Sequence, residues 1–98
     1  MRVLDLLQLL ADHPQNTAVR IRCEESVQNI ADFTTQTANE QPQLVIHAKT
    51  SGKPLKVWEV IMLLDQKTWR QHYVYVQEGA ALRPLFGVQE RAGQLIIN

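Results

Sequence analysis

The chain has 98 residues, which fits one domain and buries somewhat over ~60% of the unfolded surface without disulfides or metal. With 45% hydrophobic and 20% charged residues the composition excludes intrinsic disorder. Ten basic and ten acidic residues give zero net charge, which argues against a dedicated nucleic-acid binder and leaves little repulsion against self-association.

From the N-terminus, residues 2–10 read as an amphipathic helix. Val3, Leu6, Leu7 and Leu10 share one stripe at 3.6 residues per turn, with Asp5 opposite. Asp5, Gln8 and Asp12 interrupt the apolar run and no small-residue cleavage site follows, so a signal peptide is not expected. Pro14 stops the helix. In residues 17–23, Val19, Ile21 and Cys23 alternate with Arg20 and Arg22, the pattern of a half-buried strand. Residues 24–35 repeat their apolar positions every third residue and read as a bulged strand, with a helical turn as the alternative. Residues 44–46 form a short apolar run, typical of a more buried strand.

Residues 49–54, Lys-Thr-Ser-Gly-Lys-Pro, read as a linker that places Pro54 at the start of a second helix. In that helix Val57, Val60, Ile61 and Leu64 form the stripe. Leu4, Leu9, Trp58, Met62 and Leu63 widen the two apolar arcs, which implies burial against more than one neighbour. In residues 71–77 Val74 and Val76 alternate with Tyr73 and Tyr75. Pro84 and Gly87 weaken any helix in the next segment and place Pro84 on an edge strand or at a bulge. Residues 95–97 are a last apolar strand.

Three blocks recur in order: residues 2–10 against 56–64, residues 19–21 against 74–76, and residues 43–47 against 94–98, at offsets of 54, 55 and 51. The differences fall in loops, where a duplicated fold tolerates them. The expected fold is therefore α+β: two tandem α-β-β-β repeats, residues 1–48 and 55–98, packed as one compact domain with antiparallel strands, two helices and a pseudo-two-fold axis. The opening helix, the turn His13-Pro14-Gln15-Asn16 and the strand Ala18-Val19-Arg20-Ile21 resemble small helix-plus-strands proteins of bacteria and their phages. That resemblance implies a fold of this kind and a mobile-element origin, and carries no functional residue across.

No motif selects an enzyme. His13, His47 and His72 lack metal-ligand spacing, and Cys23, the lone cysteine, has no Cys-x-x-Cys partner. Burial of an inert thiol is the ordinary role for Cys23, in a chain suited to a reducing cytoplasm. Glu24 and Glu25 read as solvated loop charges, and Asp5 and Glu59 as polar helix faces. Gly52, Gly79, Gly87 and Gly93 never cluster as a phosphate loop. No cofactor, metal or membrane partner is expected.

The candidate interaction surface comprises Arg20, Arg22, Tyr73, Tyr75, Trp58 and Trp69. If the equivalent strands pair, the arginines and tyrosines share one sheet face, suited to a protein partner or to unpaired bases. Core-closing aromatics and arginine stems over apolar neighbours are the plainer reading. The sequence favours a non-enzymatic interaction or structural module that engages a protein partner or forms a homodimer. Single-stranded nucleic-acid binding through the Arg/Tyr face and a small enzyme with an unrecognised site are the alternatives.

Overall fold

A computed structural model describes all 98 residues. Helix α1 (Val3–Ala11) is followed by β1 (Ala18–Cys23), β2 (Ser26–Ala38) and β3 (Gln41–Lys49). The two-residue β4 (Leu55–Lys56) leads into α2 (Val57–Leu64), a 3-10 turn over Lys67–Trp69, and then β5 (Tyr73–Glu78), β6 (Ala81–Pro84), β7 (Val88–Arg91) and β8 (Gln94–Ile97). The protein is α+β, with two helices against one eight-stranded sheet.

The sheet order is β6-β5-β3-β2-β1-β8-β7, with β4 on the side of β1. Its two end strands, β6 and β7, are consecutive in the chain and joined through residues 85–87, so the sheet curls until both its ends belong to one segment. Hairpin neighbours pair antiparallel, whereas β1 with β8 and β3 with β5 are parallel. The sheet is thus mixed rather than purely antiparallel. A parallel pair requires a long crossover, and α2 supplies the one between β3 and β5.

Alternation decides which face is buried in β1 and β5, whereas β3 and β8 bury both faces, with Val45 and Ile96 turned away from the main core. Val19 and Ile21 of β1, Leu44 and Ile46 of β3, Val74 and Val76 of β5, and Leu95 and Ile97 of β8 all join one core. Val3, Leu6 and Leu10 of α1 and Val57, Val60 and Leu64 of α2 fill its concave side. The wide arcs end there. Leu7 and Ile61 are half-buried, and Leu4, Trp58, Met62 and Leu63 are exposed, so no further layer covers them. Each helix starts with a carboxylate that reaches back to its N-cap: the Arg2 N–H donates to Asp5 Oδ2 (2.9 Å), and the Lys56 N–H to Glu59 Oε1 (3.0 Å).

Two further expectations are corrected. Pro54 precedes β4 and not the helix, because Leu55 and Lys56 first pair with Val19 and Ala18 of β1. The middle segment is one long strand in the first half, with an irregularity between Ile30 and Asp32, but in the second half it is split into β6 and β7. At the split the Phe86 and Gly87 N–H groups both donate to the Asn98 carbonyl, at 2.7 and 3.1 Å, so the chain changes partner from β5 to β8 there.

Candidate interaction surface

The outer side of the helix pair carries the largest exposed apolar side chains that lie together. Trp58, Met62 and Leu63 project from α2, with Met62 67% exposed, and Leu4 projects from α1. A shallow hollow of about 180 Å³ is lined by Trp58, Glu59, Met62 and Leu63. A second, of about 350 Å³, runs between the helices over Leu4, Leu7, Ala11 and Ile61. One end of that groove is closed by the pair Arg70–Asp65, 2.9 Å apart. An open apolar groove with charged ends suits a protein surface better than a small polar substrate, which needs convergent polar groups in an enclosed pocket. No three His, Cys, Asp or Glu side chains come together as a metal site.

The arginine and tyrosine residues are not brought together. Strands β3 and β2 lie between β5 and β1, so the equivalent strands do not pair. Arg20 is half-buried and donates to the Val27 carbonyl at 3.0 Å. Arg22 offers its carbonyl to Arg83 at 2.6 Å. The Tyr75 hydroxyl donates to Gln41 Oε1 at 2.9 Å, and Gln43 then links Gln41 to Gln36. Tyr73 lies under the Arg2 guanidinium, 5.4 Å from the ring centroid, and its hydroxyl accepts from the same group at 3.3 Å. Local hydrogen bonds therefore engage the side chains of Arg20, Tyr73 and Tyr75, whereas Arg22 is engaged through its backbone alone. Trp69 packs half-buried against the core, and Trp58 alone of the six candidates joins the exposed apolar face.

Cys23 is buried, its thiol donating to the Gln77 carbonyl at 3.5 Å. Burial first, and then Glu78 and Glu24, push that thiol above its ordinary pKa, the reverse of an activated nucleophile. His47 lies 2.8 Å from the Thr34 hydroxyl on the convex side of the β2–β3 hairpin. The exposure of Phe86, at 78%, had no separate signal in the sequence, since its neighbours Leu85 and Val88 do face the core.

The molecule is thus an α+β protein whose curled mixed sheet carries a two-helix layer with an open apolar groove. Comparison with protein-family models, curated proteins and solved structures gives no match.

Proposed function

We propose that the chain is a non-enzymatic protein-interaction module whose helix pair seats an amphipathic helix of a partner protein. The observation that carries this is the apolar groove between α1 and α2 beside the ridge of Trp58, Met62 and Leu63. Two neighbouring helices leave between them the groove that a third helix packs into, ridge against groove. Asp5 and Arg70 at the start of α1, with Asp65 at the end of α2 and Glu59 in its first turn, provide a charged rim of both signs around an apolar floor.

The test is a selection of amphipathic helices, displayed as a library, against the intact chain, followed by titration of the winners. Trp58→Ala and Met62→Lys should each weaken binding by at least about tenfold, the change that ~1.4 kcal/mol represents. Arg20→Ala with Arg22→Ala should leave it unchanged. A library that yields no binder, or binders indifferent to Trp58 and Met62, overturns the proposal.

The same reading takes the chain as a fused pair of tandem repeats about a pseudo-two-fold axis, and matched backbone contacts support it. The Val3 N–H donates to the His72 carbonyl (2.9 Å) as the Val57 N–H donates to Thr17 (3.0 Å). Leu4 donates to Arg70 and Trp58 to Gln15, both at 3.1 Å. The pairing of Ala18 with Gln94 has its counterpart in Tyr73 with Gln43. Glu24 and Gly79, at matched turn positions, both take φ 59°. Each half thus supplies a strand to the other, as two subunits of a dimer would.

A further inference from the structure

We propose that residues 32–38 of β2 form a self-pairing edge on which a second copy of this chain adds its own β2 antiparallel, across a two-fold axis. Over these seven residues β2 runs in unbroken register with β3, from Asp32 opposite His47 to Ala38 opposite Gln41. On the other side, β2 touches β1 only through Ser26, Val27 and Gln28. Beyond that point β1 turns to β4, and Asn29 Nδ2 holds the linker through the Ser51 and Gly52 carbonyls, at 3.2 and 2.9 Å. No backbone hydrogen bond joins residues 32–38 to any element but β3. Their outward N–H and C=O groups form an open edge roughly 24 Å long, at ~3.4 Å per residue.

The other free edges carry the devices that prevent strand addition. β6 is four residues long and holds Arg83 and Pro84, and β7 is four residues long and ends in Glu90 and Arg91. Residues 32–38 have none of these: Asp-Phe-Thr-Thr-Gln-Thr-Ala contains no Lys, Arg or Pro and is rich in strand-favouring residues. Its single charge, Asp32, sits at the inner end.

That charge pattern selects a second copy as the occupant. Centred on Thr35, an antiparallel self-pairing sets Asp32 opposite Ala38, Phe33 opposite Thr37 and Thr34 opposite Gln36. No like charges meet in this register, whereas a register centred on Gln36 would set Asp32 opposite Glu40, and the zero net charge of the chain adds no repulsion between copies. The edge is also held ready, because Thr34 and Gln36 are anchored to His47 and Gln43 at 2.8 and 2.9 Å. Little order remains to be imposed on association.

The experiment is the native mass and sedimentation of the intact chain from micromolar to millimolar concentration, with two double variants. Thr35 and Thr37 are exposed, so their replacement leaves the core untouched. Wild type should show a monomer–dimer equilibrium with slowed amide exchange in residues 32–38. Thr35→Lys with Thr37→Lys, and Thr35→Glu with Thr37→Glu, should each be monomeric with unchanged circular dichroism. An equimolar mixture of the two should restore a dimer, which a merely misfolded variant could not do. A wild type that stays monomeric at millimolar concentration overturns the proposal. So does a dimer that both variants retain alone, or one that is lost instead with Met62→Lys. So does a mixture that remains monomeric. Helix binding in the α1–α2 groove should be the same in wild type and both variants, so the two proposals fail separately.

Discussion

Asn29 has a task that belongs to one place in the chain. It is 4% exposed, and its amide nitrogen ties two carbonyls of the only segment that connects β3 to β4. If the halves are equivalent, the position that answers to Asn29 is Pro84, which has no such segment to hold. Glu78, at the end of β5, ties the turn that follows β1 to β6. Its Oε2 accepts the Glu24 N–H at 2.6 Å and the Arg83 Nε–H at 3.1 Å. The backbone donor first, and then Arg83, hold its carboxyl below the ordinary value of 4.5. A carboxylate with a depressed folded pKa stabilises the fold above the unfolded value, and that contribution is lost as pH falls through the folded one. Thermal melts from about pH 6 to about pH 2 should therefore fall more steeply for wild type than for Glu78→Gln. The difference should open as pH falls below the ordinary value of 4.5 and be modest, because solvent reaches the pair. Parallel curves would show that Glu78 contributes nothing.

At the scale of elements, each helix holds on through three fully buried side chains. Leu10 and Leu64 end the two stripes and are wholly inaccessible. Leu10→Ala and Leu64→Ala should each lower stability by about 2–5 kcal/mol in denaturant titrations. A change under about 1 kcal/mol at both would mean that the sheet holds without them. These stripes, and the alternation of Val19 with Arg20 and of Val74 with Tyr73, were legible because period alone separates the two faces of an isolated helix or strand. Whether a face is covered by a further layer was not legible. Leu4, Met62 and Leu63 continue the apolar arcs of α1 and α2, and only the absence of a neighbouring element leaves them in solvent. Nor did residues 24–35 disclose that β2 runs on to Ala38, since Thr34, Thr35, Gln36 and Thr37 bury nothing and carry no apolar period. The candidate site divided for the same reason. Trp58 was named from its size and place, whereas the separation of Arg20 from Tyr73 depends on which strands pair, and pairing between distant segments leaves no local trace.

At the scale of the whole molecule, the two halves are bound through β1 with β8, β3 with β5, and the N-terminal turns of both helices. If the halves are equivalent, the segment joining β3 to β4 can be moved to join Asn98 to Met1. A circular permutant that begins at Ser51, with a copy of residues 49–54 bridging the old termini, should melt cooperatively and keep the wild-type circular dichroism. An unfolded permutant would count against equivalent halves. The parallel pairing of β1 with β8 also governs how the chain is made. Ala18 belongs to the earliest strand made, yet its sheet partner Gln94 follows only after every other strand described above has been made. Until then β1 has only β2 and β4 beside it, and the concave side lacks Leu95 and Ile97. A nascent chain therefore completes this sheet only once β8 has cleared the ribosome, and deletion of Gln94–Ile97 would remove the strand on which both β1 and β7 close.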